Sequence, residues 1–315
     1  MHIGLCDHTV HAHQHHHDWN RDHRPVLEVD PGATIEFEIV DASGGQLDAT
    51  SAAADVAGID FGRVNPVTGP VRVLGALPGD VLEVEVLELA MTGWGWTALI
   101  PGFGLLADQY PDPWLMNWDL VPGAPFARFA DGIEVPVAPF PGTIGVAPPQ
   151  PGPHSIVPPS AWGGNLDIKH LTAGTRLYLP VGVEGALFSV GDTHAAQGDG
   201  EVCGTAIESP MRIALRFGVR RDLRLRQPAF ETFGAAPADR ADQGSFVTTG
   251  VAPDLMMAVR EAVSGMIDRL MTIAGLDANQ AYALCSVSVD LKVHEVVDAP
   301  NWVVGAWLPK GIVRR

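Results

Sequence analysis

The chain has 315 residues, 46% of them hydrophobic and 18% charged, and its formal net charge is −17. A chain of this size and composition can bury a large core. Its negative charge repels phosphate backbones and anionic lipids, so we expect neither nucleic acid nor a membrane surface as a partner. Its 35 glycines and 26 prolines indicate many turns and short strands rather than long helices.

The cysteines and the lengths of the apolar runs indicate the cellular location we expect. Cys6, Cys203 and Cys285 are too few and too scattered for a disulfide framework or a structural zinc knot. The first residues lack the basic and apolar regions of a secretory signal, and no apolar run is long enough to span a membrane. We therefore expect a cytoplasmic protein.

The N-terminal segment HTVHAHQHHHDWNRDH is rich in histidine. It holds seven of the twelve histidines, namely His8, His11, His13, His15, His16, His17 and His23. Histidine-rich tracts can bind metal ions. We favour a surface tract that captures metal only adventitiously.

Two strand units then follow the same pattern of a Pro-Gly turn and an alternating strand. PVLEVDPGATIEFEIVDA predicts a half-buried hairpin, with residues 26–29 and 34–40 as its strands. GALPGDVLEVEVLELA predicts a second strand over residues 81–89. The two units are candidates for equivalent positions in a β-sandwich.

Residues 91–164 are rich in glycine and proline and predict long loops. Long loops in a compact domain often cover a site. Their aromatic residues can either line a pocket or plug the end of a sandwich, and they include Trp94, Trp96, Phe103 and Trp114.

Strands resume at TRLYLPVGVEGALFSVGD and at SPMRIALRFGVRRDLRL. One convincing helix begins after Asp254 and ends near Gly275, with apolar residues at helical spacing between them. The sequence thus predicts a mainly β fold. A jelly-roll-like β-sandwich over residues 1–210 carries the site, and a smaller α+β portion covers residues 211–315.

The segment GDTHAAQGDGEVCGTAIE concentrates acidic, imidazole and thiol groups among small residues. Asp192 and His194 lie two apart where a buried strand ends, so their side chains share a face and suit one cation. Glu201 and Cys203 have the same spacing in a second predicted strand. For Cys203 a buried small hydrophobe is favoured over a nucleophile, and for Asp199 a solvated hairpin tip is favoured.

WGGNLDIKHL supplies a second group of polar residues. Asn165 and Asp167 share a predicted strand face, as oxygen ligands or amide-binding groups, although an Asx-turn is the stronger interpretation of this segment alone. The chain has no GxSxG, HExxH, Walker or dinucleotide-binding fingerprint. A serine-hydrolase triad therefore has no local signature.

Long segments of the chain resemble the acetamidase/formamidase family. They include HTVH, PVLEVDPGATIEFEIVDASGGQL, NPVTGPVRVLGALPGDVLEVEVLEL, FPGTIGVAP and the run from HSIVPPSAWGGNLDIKHL to GDTHAAQGDGEVCGTAIESP. The resemblance implies a β-rich sandwich, homodimers or larger homo-oligomers, and hydrolysis of a short amide to a carboxylate and ammonia with a bound divalent metal. The histidine-rich insertion after HTVH departs from the family and leaves the role of His11 open.

The resemblance marks the motif positions, and the chemistry of their side chains suggests their roles. Asp167, Asp192 and His194 would hold the metal, for which zinc is favoured and calcium or manganese are alternatives. Glu201 would be the general base, with Glu208 as the alternative.

Substrate contacts and other functions complete the hypothesis. Asn165 and Gln197 would orient the amide, with Cys203 as a further motif position and His154 as another candidate near the site. Two other functions remain open, an amidohydrolase of the same fold acting on a larger or cyclic amide, and a non-catalytic metal or small-ligand binding protein.

Overall fold

Short strands dominate the computed structural model, which describes residues 6–233 except 132, 244–278, 281, 282, 285, 289–310 and 313. The strands are β1 (His8–Val10), β2 (His15–His16), β3 (Leu27–Val29), β4 (Thr34–Glu38), β5 (Val67–Val73), β6 (Val81–Met91), β7 (Trp94–Leu99), β8 (Trp114–Asp119), β9 (Phe126–Ala130), β10 (Ile133–Pro136), β11 (Phe140–Val146), β12 (Gly163–Asn165), β13 (Arg176–Pro180), β14 (Phe188–His194), β15 (Met211–Arg220), β16 (Ala229–Glu231), β17 (Ser245–Ala252), β18 (Asp290–Glu295) and β19 (Trp302–Pro309). The helices are α1 (Ala53–Val56) and α2 (Leu255–Ala274).

Two large sheets organise these strands. The larger sheet has nine strands in the order β1-β4-β15-β6-β13-β16-β17-β19-β18. The smaller sheet has the order β12-β11-β14-β5-β2, with β3 paired to β5 beside this path. Strands β7 and β8 form one additional two-stranded sheet, and β9 and β10 form another.

The main hydrophobic core lies between the two large sheets. Phe37 of β4 and Phe217 of β15 come from the larger sheet, and Phe188 of β14 comes from the smaller one. The ring centroid of Phe188 lies 5.8 Å from that of Phe37 and 4.9 Å from that of Phe217, in edge-to-face geometry that favours aromatic pairs. Two sheets facing each other across such a core confirm the predicted mainly β, sandwich-type fold.

Helix α2 covers the outer face of the larger sheet. Asp254 caps its first turn by accepting a hydrogen bond from the Met257 amide at 2.9 Å, and Gly275 ends it at φ 65°. Its buried face contacts Val304 and Ala306 of β19, and that face consists of Ala258, Ala262, Met266 and Leu270. The predicted helix is confirmed. Within the described residues, no helix has the length and apolar character needed to cross a membrane.

One local prediction from strand patterns is wrong. Residues 26–29 and 34–40 do not form a hairpin, because β3 pairs in parallel with β5 while β4 pairs with β1 and β15. The Pro-Gly turn between them carries the chain from one sheet to the other. Strands β7 to β11 and the start of β12 interrupt the predicted loops of residues 91–164, although most of these residues lie outside strands.

The sheet order also bears on the predicted division of the chain at residue 210. Strand β15 begins at Met211 and lies between β4 and β6, with which it forms antiparallel pairs. The boundary at residue 210 therefore falls within a continuous sheet. The same arrangement places β4 and β6, the two strands that follow Pro-Gly turns, on either side of β15.

Replacing the helix cap tests the account of α2. Asp254→Ala removes the acceptor of the Met257 amide, so we expect the free energy of unfolding to fall by about 1 kcal/mol. Asp254→Asn keeps a side-chain acceptor and should stay close to the parent protein. Denaturant unfolding of both variants measures the difference, and an equal loss in both would contradict the capping role.

Candidate active site

Buried acidic groups converge where the smaller sheet meets the loops beside it. Strand β14 supplies Asp192 and His194, and the end of β12 supplies the chain segment with Asn165 and Asp167. The segment after β14 supplies Glu201 and Glu208, the last residue of β18 is Glu295, and Asp298 follows that strand. Seven titratable side chains, each less than a tenth exposed, form this carboxylate cluster: Asp167, Asp192, His194, Glu201, Glu208, Glu295 and Asp298.

His194 lies at the centre of the cluster, and its two ring nitrogens have different partners. Nε2 lies 3.1 Å from Asp192 Oδ1 and 3.0 Å from Glu208 Oε2. Nδ1 lies 2.9 Å from Gln197 Oε1, and Gln197 Nε2 donates to the Asp167 carbonyl oxygen at 2.9 Å. Because that second bond fixes Oε1 as the atom facing the ring, Nδ1 carries a hydrogen. In neutral His194 the lone pair of Nε2 therefore points between the two carboxylates.

Amide and hydroxyl groups fix the positions of the acids. The Thr143 hydroxyl contacts Asn165 Oδ1 and lies 3.1 Å from Asp192 Oδ2. Asn165 Nδ2 donates to Asp298 Oδ2 at 2.6 Å, and Asn65 Nδ2 donates to Asp192 Oδ2 at 3.3 Å. Such bonds to charged acceptors are strong, so they hold the carboxylates in a set geometry.

The backbone is strained at the same place. Among the described residues, six that are not glycine have positive φ, and four of these border the cluster. They are Asn65 at 47°, Asp167 at 47°, Asp192 at 52° and Glu201 at 45°. Each costs roughly 1 kcal/mol or more relative to ordinary backbone. The surrounding fold stabilises these conformations, and they aim the side chains inward.

This backbone corrects one detail of the sequence argument. Residues 201–205 form a turn rather than a strand, so Glu201 and Cys203 do not share a face. Glu201 points into the cluster, whereas the Cys203 thiol lies 3.3 Å from the carbonyl oxygen of Thr205. Regular alternation also fails at Asp192, whose left-handed conformation, rather than strand pleating, brings it beside His194.

Burial, followed by the proximity of like charges, raises the pKa values of most acids in the cluster. Burial and then the charge of Asp192 raise the pKa of Asp167 to about 6. Burial raises the pKa of Glu208 to about 7 and that of Glu295 to about 8. Burial followed by the charge of Asp167 raises the pKa of Glu201 well above its usual range, and the same two causes act on Asp298.

His194 responds in the opposite direction. Burial alone lowers its pKa, but the charges of Glu208 and Asp192 outweigh that effect and raise the pKa well above its usual value. Burial acts to raise the pKa of Asp192, yet the neighbouring imidazole holds it below its usual value. Positive charge at the position of His194 is therefore what this group of acids stabilises.

A cavity opens onto the cluster. The volume of this cavity is about 50 Å³, which is enough for one small molecule or a few waters. Its polar end is formed by Asn165, Asp192, Glu201, Glu208 and Asp298. Its apolar walls include Ile59, Phe61, Trp96, Ile100 and Phe103. Of the four aromatic residues proposed from the loops, Trp96 and Phe103 border this cavity, and Trp94 and Trp114 lie outside its lining.

Some predicted site residues lie elsewhere. The ring of His154 packs against Trp162, with centroids 5.5 Å apart, and is not part of the cavity lining. Cys203 borders a separate apolar pocket. His11 lies half-exposed with Nδ1 3.2 Å from Glu38 Oε2.

Two acids of the cluster, Glu295 and Asp298, were not among the site residues predicted from the sequence. Glu295 accepts backbone amide hydrogen bonds from Val297 and, at 2.6 Å, from Asp298. Asp298 in turn accepts the Asn165 amide. Both lie far along the chain from the central motif, in a segment without a metal or catalytic signature. Only the apolar surroundings of HEVVD offered a signal, since acids flanked by apolar residues are often buried.

Comparison with known proteins places the chain in a family. A sequence model described as the Acetamidase/Formamidase family matches residues 6–156 and 150–315. The chain is similar to the formamidase of Methylophilus methylotrophus, with 28% identity over 94% of this chain and 89% of that protein.

Solved structures show the same likeness. The chain is similar to an acetamidase from Bacillus halodurans, with 31% identity and a TM-score of 0.86 over 95% of this chain and 96% of that one. It is also similar to a γ-lactamase from Delftia acidovorans, with 27% identity and a TM-score of 0.67 over 98% and 94% of the two chains. Because the family model spans nearly the whole sequence, this protein belongs to the acetamidase/formamidase family and is an amidase.

Proposed function

We propose that this amidase hydrolyses the C–N bond of a short-chain aliphatic amide with the help of a divalent metal ion, zinc being favoured, held in the carboxylate cluster. The observation that carries the proposal is the imbalance of charge, because six buried carboxyl groups surround the single imidazole of His194. Buried carboxylates require protons, paired cations or metal ions to be stable.

The residues present fit such an ion. His194 Nε2, Asp192 Oδ1 and a Glu208 oxygen lie within ligand-sharing distance of one another, and all three residues are buried. Among the described residues, Glu208 Oε2 has no polar partner besides the His194 ring, whose Nε2 lies 3.0 Å away. Zinc accepts both imidazole nitrogen and carboxylate oxygen as ligands, and a set of three protein ligands leaves a position open.

The ligands we propose are therefore Asp192, His194 and Glu208. The sequence argument gave Asp167 as the third ligand, and we propose Glu208 in its place. Asp167 Oδ1 lies 4.0 Å from His194 Nδ1, and that nitrogen is already bound to Gln197. Gln197 then acts on the imidazole rather than on the substrate. A ligand histidine commonly uses its other nitrogen in this way to fix its tautomer.

Asp167 and Glu201 form the proton-handling part of the proposed site. Both oxygens of Asp167 lack a hydrogen bond in the part of the chain that the structure describes, and they contact the carboxyl groups of Glu201 and Asp298. Those carboxyls can donate only when protonated. The raised pKa of Glu201 suits a group that takes a proton and returns it.

The chemistry then follows from the positions of these side chains. When bound, a divalent ion acts as a Lewis acid on the amide carbonyl and lowers the pKa of a water molecule. Next to a bound divalent cation, the carboxyl group of Glu201, which borders the cavity, would lose its proton and would then accept one from the attacking water. It then donates that proton to the leaving nitrogen as the C–N bond breaks, so that the products are a carboxylate and ammonia.

Substrate size is limited by the cavity. Ile59, Trp96 and Phe103 belong to the apolar lining of the cavity, against which a short acyl group would lie. The Trp96 ring is fixed because its Nε1 donates to Asp41 Oδ1 at 3.0 Å. An amide with a long or branched acyl group would have to displace side chains of this lining.

Ammonia release from a substrate panel, before and after chelation, tests the proposal. We expect turnover of formamide, acetamide and propionamide, little turnover of larger amides, loss of activity on chelation and recovery with one added metal. Full activity of a protein shown by elemental analysis to be metal-free would overturn the metal requirement. Bound metal without ammonia from any amide would instead favour a binding protein.

Two isosteric variants separate the proposed ligand from the proposed base. Glu201→Gln should lower kcat by about 10² or more while keeping the metal, because it removes the proton acceptor. Glu208→Gln should instead weaken metal binding, with activity recovering at high metal concentration. Measuring kcat and metal content of both variants decides the assignment, and the opposite pattern would exchange the two roles.

A glycine beside the cluster provides a steric test. A Cβ at Gly142 would lie 2.5 Å from Asp167 Oδ1 and 2.8 Å from His194 Cε1. We expect Gly142→Ala to reduce kcat/KM for acetamide at least tenfold, because Asp167 or His194 must move. Gly198→Ala is the control, since a Cβ there meets nothing within 4 Å. Equal activity of the two variants would show that the cluster tolerates this displacement.

The likeness to the Delftia acidovorans γ-lactamase favours a second candidate substrate, a small cyclic amide. A γ-lactam in the same panel distinguishes the two, because it yields an amino acid rather than free ammonia. Assembly into homodimers or larger oligomers and a cytoplasmic location stay predictions from the sequence.

A further inference from the structure

A second cluster of metal-binding side chains lies on the far side of the turn that carries Glu201. It consists of His170, Asp199 and His294. Asp199 Oδ1 lies 3.8 Å from His170 Nε2 and 4.0 Å from His294 Nδ1. The amidase site described above uses none of these three side chains.

The histidines of this second cluster lack partners. His294 is 0% exposed, and neither of its ring nitrogens has a hydrogen bond in the part of the chain that the structure describes. His170 Nε2 is buried and has none either. A buried polar group without a partner is unfavourable, so a ligand outside the protein chain is expected between these nitrogens and Asp199.

The donor set indicates what that ligand is. Burial lowers the pKa of His170 to about 4 and that of His294 to about 3, so both imidazoles are neutral near pH 7 and offer lone pairs. Two neutral imidazoles and one carboxylate are typical ligands of Zn²⁺ and related transition metals. The separations of about 4 Å need only small side-chain movements to reach ligand spacing.

Two lysines act against a cation here. Lys169 Nζ lies 3.0 Å from Asp199 Oδ2, and Lys292 Nζ lies 4.0 Å from the centre of the Trp307 ring. Lys169 binds the carboxylate oxygen farther from the histidines, so Oδ1 remains open to them. The positive charges of the two lysines therefore weaken the binding of a metal ion, but neither lysine occupies the position of that ion.

We propose that His170, Asp199 and His294 form a second divalent-metal site, of the Zn²⁺ class, distinct from the carboxylate cluster. Solvent reaches it through His170 and Asp199, whose side chains are 26% and 39% exposed.

The site joins the turn before Glu201 to strand β18. Gly200 donates its amide to the His294 carbonyl oxygen at 2.8 Å, and its backbone pairs with Glu295. A metal ion shared by Asp199 and His294 adds a side-chain link to this backbone contact. Its role is to hold the turn that positions Glu201.

Zinc stoichiometry of the full-length protein tests the proposal. Metal-stripped wild type, His170→Asn and Asp199→Asn are each dialysed against buffered Zn²⁺, and the bound zinc is counted by elemental analysis. We expect each variant to bind one equivalent less than wild type, and the N-terminal histidines cancel in the difference. Both side chains are partly exposed, so the variants should fold, which circular dichroism checks. Equal stoichiometry in all three proteins overturns the proposal.

A charge variant distinguishes this metal site from an anion site built on the same donors. Lys169→Met frees Asp199 and removes a nearby positive charge, so we expect zinc to bind roughly 3- to 10-fold more tightly. Unchanged or weaker zinc binding in Lys169→Met overturns the proposal. An anion site would instead be weakened by this change, because Lys169 would be one of its cationic donors.

The result is independent of the amidase site. Glu208→Gln should remove the zinc equivalent of the carboxylate cluster and leave the equivalent at His170, Asp199 and His294. Zinc lost from Glu208→Gln but not from His170→Asn would support only the amidase site, and the reverse would support only the second site.

Discussion

The contact of His194 Nε2 with Asp192 and Glu208, at 3.1 and 3.0 Å, is the interaction around which the interior of this protein is arranged. It places the only imidazole of the cluster between carboxylates that are buried with it. Like charges in a medium of low polarity repel strongly, so the acids can coexist only if cations or protons are supplied. Burial, together with the nearby charge of Asp192, raises the pKa values of Asp167 and Glu208.

The fold meets that constraint with ordered polar groups and strained backbone. Asn165 and Thr143 bind carboxylate or amide oxygens of the cluster, and Gln197 fixes the orientation of the imidazole. Asp167 and Asp192 adopt left-handed conformations that isolated residues avoid. The packing of the sandwich offsets these conformational costs, because β14 lies between β11 and β5 and the apolar residues of β14 pack into the core. Strained backbone of this kind concentrates at functional sites.

Residues from distant parts of the chain complete the cluster. Asp298 reaches Asn165 from the segment between β18 and β19, and Glu295 in turn accepts the amide of Asp298. The C-terminal strands therefore serve the site as well as the larger sheet. The turn at Gly200 has a connecting role, since it pairs with β18 on one side and leads into Glu201 on the other.

Local patterns in the amino-acid sequence were sufficient for some features and insufficient for others. Helix α2 and strand β6 follow from apolar spacing, a capping aspartate and Pro-Gly turns, which act over a few neighbouring residues. The concentration of acids and imidazole after β14 marked the site, and the resemblance of long segments marked the family. The pairing of β3 with β5, the inward turn at Glu201 and the approach of Asp298 and His294 depend on packing between distant segments. Strand periodicity assigns faces within one regular strand, but it carries no information about which strands meet or where the backbone leaves its regular conformation.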